Sequence, residues 1–484
     1  MVNEQLFING VWVEGKGQIR EIINPADGNI LTEIYEATEN QTKQAVEAAR
    51  YAFDKTDWSF NKDMRVKVLL QIANLLESNA DEISEIETNN TGKPIRESEM
   101  DIQDSVACLR YYAELVKSES PLQIEMNDGS LSHVISEPIG VCSLIVPWNF
   151  PLLLGMWKIA PALAAGNTIV FKPSELTPLS LILFTELLTD AGVPEGVFNL
   201  VLGDGVTAGS AMTTDSDVDK VSFTGGVETG RKINEICAKT FKRVSLELGG
   251  KSPMVVLDDA DVDKAVEWIL FGGFFNQGEV CVASSRILIH ESIYNTVINE
   301  LCKKMKSINI GSPVEKTTEM GPIISEEHLN KILNYLTIGV NEGACLTGGK
   351  RINRDGYYIE PAIFTNVKQH MQIVQEEIFG PVITIQSFKN DEEAIQLANG
   401  TKFGLAAGII SKNVARANDI ASRIKAGTIW INNYHIPYVE APWGGYKQSG
   451  IGRELGPHGL AAFTEVKHVN RYNTLESLDW YKLD

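Results

Sequence analysis

The chain has 484 residues, of which 44% are hydrophobic and 22% charged, with a formal net charge of −20. That length exceeds one small core and predicts two or three domains. The acidity repels nucleic acid and anionic membranes, so neither is expected as a partner, and no apolar run reaches the length of a membrane span.

In chain order, Met1-Val2-Asn3-Glu4-Gln5 shows no basic region leading into an apolar one, so no secretory signal is read and a cytoplasmic location is expected. Residues 39–53 and 63–91 carry apolar positions at the three and four spacing of amphipathic helices. Residues 122–136 alternate poorly. Residues 139–146 read as a buried strand, 152–165 as a helix, 167–172 as a strand, 178–191 as a helix and 198–202 as a strand. Residues 217–223 lead into a further strand, followed by a helix over about 228–239. This alternation predicts an α/β fold: a parallel sheet with helices on its faces. A second alternating block spans about 251–433, in which 343–364 suggest a hairpin or irregular structure. Residues 463–472 are strand-like. With 122–136 they lie outside both blocks, either as a surface hairpin or as an extension that pairs with another subunit.

The six cysteines, at 108, 142, 237, 281, 302 and 345, form no CxxC pair, which fits reduced thiols. The seven histidines are scattered, so no catalytic metal is expected.

Two stretches carry chemistry. Phe275-Asn276-Gln277-Gly278-Glu279-Val280-Cys281-Val282-Ala283-Ser284-Ser285-Arg286 sets one cysteine in a loop of small and polar residues. Upstream, Val244-Ser245-Leu246-Glu247-Leu248-Gly249-Gly250-Lys251 places a lone carboxylate among apolar residues beside two glycines. A thiol and a separate carboxylate suit covalent catalysis followed by hydrolysis. The thiolate attacks a carbonyl and the carboxylate later activates water.

The turn Ser222-Phe223-Thr224-Gly225-Gly226-Val227-Glu228-Thr229-Gly230 joins an expected strand to an expected helix. Its glycines let backbone approach a phosphate at a helix N-terminus, although the spacing is not GxGxxG. Phe171-Lys172-Pro173-Ser174-Glu175 ends another expected strand, where ligands of parallel sheets gather. Lys172 and Glu175 are placed to bond ribose hydroxyls. A carboxylate accepts from a free 2′-hydroxyl and repels a 2′-phosphate, which favours NAD over NADP.

Taken together, these stretches resemble the aldehyde dehydrogenase superfamily. The resemblance rests on Pro147-Trp148-Asn149-Phe150-Pro151, Lys172-Pro173-Ser174-Glu175, Phe223-Thr224-Gly225, Leu246-Glu247-Leu248-Gly249-Gly250-Lys251, and Asn276-Gln277-Gly278 with Cys281. Glu376-Glu377-Ile378-Phe379-Gly380-Pro381, Gly444-Gly445-Tyr446-Lys447-Gln448-Ser449-Gly450 and Gly452-Arg453-Glu454 complete it, in register over nearly the whole chain. It implies a Rossmann-like NAD-binding domain (1–120 and 139–249), an α/β catalytic domain (250–448) and small β oligomerisation segments (121–138 and 449–484), assembled as a homodimer or homotetramer.

The resemblance also implies roles. Cys281 is the expected nucleophile, with Asn149 and the Cys281 backbone N–H stabilising the oxyanion. Hydride passes to the nicotinamide, leaving a thioester that Glu247 hydrolyses by activating water. Glu454 is expected to relay protons. Glu377 is expected at the nicotinamide ribose beside Phe379, Lys172 and Glu175 at the adenosine ribose, and Gly225 with Trp148 at the pyrophosphate. Ser174, Gly205, Phe223, Gly226, Thr229 and Leu248 complete the cofactor site. Glu247 favours release of a free acid over acyl transfer to coenzyme A.

The set departs from the family's pattern in places. Glu279 stands where the family often has glutamine, and is expected to face outward, since an inward carboxylate would raise the thiol pKa. Gly226 stands where serine is common, Phe150 where tyrosine is common, and Val282 where serine is frequent. Phe150, Trp157 and Trp443 stand at the implied substrate tunnel, with Glu440 three residues before Trp443. Aromatic faces attract a quaternary ammonium group. The motifs are most like those of bacterial betaine aldehyde dehydrogenases, so betaine aldehyde is the expected substrate. Amino-aldehydes and general aldehydes are the alternatives, because aromatics also line apolar tunnels. A non-catalytic protein on the same fold, or a thiol acyltransferase without hydride transfer, are more distant readings. The presence of Cys281 and Glu247 opposes the first and the nucleotide motifs oppose the second.

Overall fold

The computed structural model describes residues 6–118, 120, 122–475, 480 and 481. Residues 1–5, on which the reading of the leader rests, lie outside the described residues. So do 119, 121, 476–479 and 482–484, which belong to the expected domain segments.

The first block forms a parallel sheet from Val141–Ile145, Thr168–Lys172, Phe198–Leu200, Lys220–Thr224 and Arg243–Glu247. In space these run third, second, first, fourth, fifth. Antiparallel strands border the two sides: the hairpin Leu6–Ile8 with Val11–Val13, and the short Gly450–Ile451 beside Arg243–Glu247. The order reverses between the first and fourth strands. A crevice therefore opens at their carboxyl ends, where the two following loops diverge.

The five core strands are apolar runs because helices cover both faces. The helix Pro151–Ala165 is buried along its whole length. It starts on Pro151, whose missing N–H costs nothing there, and stops at Gly166, whose φ of 98° continues no helix. The first core strand begins at Val141 rather than 139. Gly140 has φ 136°, and a Cβ there would run into the Asp219 carboxylate. The helical pattern over 63–91 is two helices, Lys62–Ser78 and Ala80–Thr91. Asn79 separates them: its side chain donates to the Leu75 carbonyl at 2.7 Å and ends the first. The helix Ile95–Ser118 was not singled out from the sequence.

The second block forms seven strands in the order Cys345–Gly348, Ala362–Thr365, Val382–Phe388, Arg286–His290, Pro253–Val256, Ala406–Ile410, Thr428–Ile431. All pairs are parallel except the first, a hairpin pair within 343–364. The chain leaves the first sheet at the carboxyl end of Arg243–Glu247. It enters the second at the amino end of Pro253–Val256. Turns from both sheets meet in this joint.

Residues 122–136 and 463–472 pair with each other. Leu122–Glu125, Leu131–Pro138 and Thr464–Arg471 make a three-stranded antiparallel sheet. Among the described residues, no helix is long and apolar enough to cross a membrane.

Asn167 ties this small sheet's root to the first core. Its side chain accepts from Gly140 N at 2.9 Å and donates to the Ala162 and Phe463 carbonyls at 3.2 and 2.9 Å. Asn167→Ala strands these buried groups. It should cost about 2–4 kcal/mol, read as a lower midpoint in urea unfolding; an unchanged midpoint would discount the tie.

Candidate active site

The crevice at the strand reversal is a cleft with about 720 Å³ of empty space. The loop after Val141–Ile145 supplies Pro147, Trp148 and Asn149. The loop after Lys220–Thr224 supplies Gly225 and Gly226. The joint supplies Glu247, Leu248 and Gly249, and the second block supplies Cys281, Glu377 and Phe379. Of the residues expected from sequence, nine meet here: Trp148, Asn149, Gly225, Gly226, Glu247, Leu248, Cys281, Glu377 and Phe379. His328 and Lys331 also line the cleft, and sequence reasoning missed both. They sit three apart on the helix Glu326–Asn341. No local motif marks them, and only the tertiary fold brings them in.

Cys281 follows the helix Val262–Phe274 and a tight turn over Phe275–Gly278. Burial pushes its thiol up to about 12, with the Glu377 and Glu247 carboxylates adding to the shift. The Asn149 side-chain amide donates to the Glu279 carbonyl at 2.9 Å, two residues before the thiol. Asn276 Nδ2 in turn donates to the Asn149 backbone carbonyl at 3.1 Å.

Glu247 ends its strand, and its two carboxyl oxygens are buried without a hydrogen-bond partner among the described residues. Burial raises its pKa well above the ordinary carboxylate range, and Glu454 raises it further. Glu454 itself is buried against the Lys158 ammonium, and its backbone exchanges two hydrogen bonds with Trp443. Glu377 accepts from Gly250 N at 2.8 Å, and burial lifts it to about 7.

Glu279 corrects the expectation of an outward side chain. It is only 1% exposed and accepts from Ile324 N at 3.1 Å. Burial raises its pKa well above the ordinary range. Burial thus shifts it toward the neutral form, the electrostatic condition that a glutamine would meet outright. His328 lies behind it, donating to the Phe379 carbonyl through Nε2 at 2.5 Å and packing on Trp148. Burial lowers His328 to about 4.

Lys172 and Glu175 do not line that cleft; Lys172 ends the neighbouring strand Thr168–Lys172 and Glu175 follows it. The Lys172 ammonium donates to the Gly203 and Pro173 carbonyls at 2.6 and 2.9 Å and stands 3.6 Å from Glu175. Ser174 Oγ accepts from Leu176 N. Gly205 opens a short turn capped by Asp204, and Phe223 packs beneath Gly225. Thr229 is exposed on the first turn of the helix Val227–Ala238. That helix starts at Gly226 with no side-chain cap, and a Cβ on Gly226 would meet nothing within 4 Å. Free N–H groups and open space at a helix N-terminus suit a phosphate.

The expected substrate residues do not line this cleft. Trp157 and Trp443 are buried against each other, ring centres 5.0 Å apart, and Trp430 packs on Trp443 at 6.0 Å. Tyr434 joins them and donates to the Val282 carbonyl at 2.6 Å, beside Cys281. Phe150 belongs to a second group with Phe275 and His435. Its ring already faces an internal cation: Lys93 Nζ lies 4.1 Å from the ring centre. Glu440 is exposed. Among the described residues, no group of three or more His, Cys, Asp or Glu side chains is arranged to hold a metal ion.

The sequence matches the model of the aldehyde dehydrogenase family over residues 12–469. It is 46% identical to betaine aldehyde dehydrogenase of Bacillus subtilis (strain 168), covering 99% of this chain and 100% of that one. It is 43% identical to the peroxisomal aminoaldehyde dehydrogenase 1 of Pisum sativum, covering 99% and 98%. A crystal structure of betaine aldehyde dehydrogenase from Staphylococcus aureus in complex with NAD+ superposes with a TM-score of 0.97 at 42% identity, covering 100% of this chain and 97% of that one.

A thiol raised to about 12 is almost wholly protonated in the free protein. Alkylation of Cys281 by iodoacetamide, followed by peptide mass spectrometry, should accelerate roughly tenfold per pH unit from 7 to 10. A rate that levels off near neutral pH would mean a thiolate is already present.

Proposed function

The chain belongs to the aldehyde dehydrogenase family and is an NAD-dependent oxidoreductase; from that premise we propose that it converts betaine aldehyde to glycine betaine through a covalent adduct on Cys281. The observation that carries the mechanism is the convergence of Cys281, Asn149 and Glu247 on one cleft. The Cys281 thiol gives its proton to solvent, and Sγ bonds to the aldehyde carbon as the carbonyl π pair moves onto oxygen. The Asn149 amide and the Cys281 N–H hold the oxygen as it gains charge. When bound, NAD supplies the acceptor for the hydride lost from that carbon. The Cys281 thioester that follows is opened by water, and Glu247 takes the proton. A base lifted by burial is suited to this, because its proton affinity approaches that needed near neutral pH. In this reading Glu454, whose charge raises Glu247, passes that proton on.

The cleft's chemistry suits the cofactor. Gly226 leaves room for a pyrophosphate at a free helix N-terminus, and Glu377 is held by Gly250 for the nicotinamide ribose. Lys172 is occupied by two carbonyls, which leaves Glu175 to meet the adenosine ribose and disfavours a 2′-phosphate. We assign the cofactor part to 1–120 and 139–249 and the catalytic part to 250–448. Of the segments 121–138 and 449–484, we assign the three-stranded sheet with Thr464–Arg471 to pairing protomers of a homo-oligomer in the cytoplasm, since Gly450–Ile451 borders the first sheet. Leu122, Ile124, Met126, Val466 and Val469 are exposed on or beside their three-stranded sheet, which supports a covered face there.

The substrate reading rests on the likeness to betaine aldehyde dehydrogenases, with the buried tryptophan cluster, tied to the cysteine loop through Tyr434 and Val282, as the aromatic group it would use. Likeness to the pea aminoaldehyde enzyme supports amino-aldehydes as the second reading. 3,3-Dimethylbutanal is the neutral carbon isostere of betaine aldehyde and separates charge from shape. kcat/KM for betaine aldehyde should exceed that for the isostere by at least about tenfold, matching about 1.4 kcal/mol or more of cation–π attraction. Equal values would make the aromatics an apolar wall, and a preference for 4-aminobutanal would favour the second reading.

The mechanism predicts two different failures. Cys281→Ala should abolish NADH formation at 340 nm while NAD still quenches tryptophan fluorescence. Glu247→Gln should give a burst of NADH and then stall, with the acyl group detected on Cys281 by mass spectrometry. Wild-type turnover in either variant rejects the role assigned to that residue.

A further inference from the structure

Asn276 and Gln277 are consecutive left-handed residues, with φ of 45° and 56°, and neither is glycine. Such a pair persists only where its surroundings hold it. The Gln277 carbonyl oxygen of the side chain accepts from Gly321 N at 3.0 Å. The Asn276 side chain holds the Asn149 backbone carbonyl, as described above. The third hold comes from Glu97. Its Oε2 accepts from Asn276 N at 3.0 Å.

Glu97 is buried in the first turn of the helix Ile95–Ser118, and the mechanism does not use it. Burial lifts it to about 8, yet either protonation state leaves an oxygen that accepts from a backbone N–H. A neighbouring group acts on the same stretch. Lys93, 2.5 Å from Asp101 and 3.6 Å from Glu87, lies on the ring of Phe150, the residue after Asn149. The segment 87–101 thus grips the Asn149 region from two sides, through Asn276 and through Phe150.

We propose that Glu97 is a positioning residue for aldehyde oxidation. Through Asn276 it fixes the backbone of Asn149, and so the aim of the amide that receives the oxyanion. This rests on the reading of Asn149 as that donor. Glu97 touches no reacting atom.

The test compares Glu97→Leu, Glu97→Gln and Asn276→Gly, with Asn149→Ala as control, on the full-length enzyme. Each is assayed with NAD and whichever aldehyde the parent oxidises best. Glu97→Gln keeps a carbonyl oxygen for Asn276 N, whereas Glu97→Leu does not. Glu97→Leu should lower kcat at least tenfold while the Kd for NAD stays within twofold of the parent. Glu97→Gln should stay within threefold of the parent kcat. Asn276→Gly accepts the left-handed φ and cuts the link to Asn149. In that background Glu97→Leu should cost less than a further threefold. If Glu97→Leu does not fold, Glu97→Met fills the same space and is read identically. A parent-like kcat in the apolar variant, a loss that glutamine does not rescue, or a full additional loss in the Asn276→Gly background each overturns the proposal. Parent-like kcat in Asn149→Ala instead overturns the oxyanion reading beneath it.

Discussion

The site depends on how closely backbone approaches at Gly249 and Gly250. A Cβ on Gly249 would enter the Glu377 carboxylate, and one on Gly250 would enter the Cys281 carbonyl. Neither glycine has a positive φ, so the reason for glycine is space rather than backbone freedom. Through this gap the strand end bearing Glu247, the cysteine loop and the turn bearing Glu377 come together. Gly250 then gives its N–H to Glu377. The C-terminal segment locks the joint from outside: Ser449 Oγ donates to the Gly249 carbonyl at 2.8 Å, and the Ser449 carbonyl accepts from Leu248 N at 2.9 Å. Gly444 serves the same end further along, since a Cβ there would press on Glu247 Oε1. Two sheets are joined by a seam of missing side chains, and the reactive groups project from its edges.

That closeness sets the electrostatics. Glu247 and Glu279 are buried, Cys281 and Glu377 partly so, and in each the loss of water is the largest cause of an upward shift. Each is shifted toward its neutral form, because charges out of water are costly and like charges nearby raise the cost. The oxidised nicotinamide is a cation, and a positive charge in the cleft favours thiolate and carboxylate together. The Lys158–Glu454 ion pair is the fixed charge against which Glu247 is tuned.

The sequence made the parts with local causes legible. Apolar runs such as Thr168–Lys172 are strands because both faces are covered, and that covering shows as an unbroken hydrophobic stretch. Cys281 and Glu247 stand out because each is a reactive group among unlike neighbours. Glu279 was misread for the complementary reason. A carboxylate in a polar loop faces water by default, and its burial is decided by Ile324, 45 residues away. His328 and Lys331 enter from a helix whose pattern is that of any amphipathic surface helix. Residues 63–91 kept one helical period across Asn79, so periodicity alone hid the break that a single side-chain bond creates.

The aromatic count misleads in the same way. Phe150, Trp157 and Trp443 look equivalent as faces for a cation, but the fold sorts them into two groups. Phe150 packs with Phe275 and His435, and its face is taken by Lys93. Burial lowers His435 to about 4, and the Lys93 charge contributes, so this group resists a further cation. Among the described residues, no Lys or Arg lies over Trp157, Trp443 or Trp430. That second group is linked to the cysteine loop by Tyr434 and to Glu454 by the Trp443 backbone. The two groups therefore differ: one is occupied by an internal cation, and the other is a buried indole cluster packed on itself and tied to the cysteine loop.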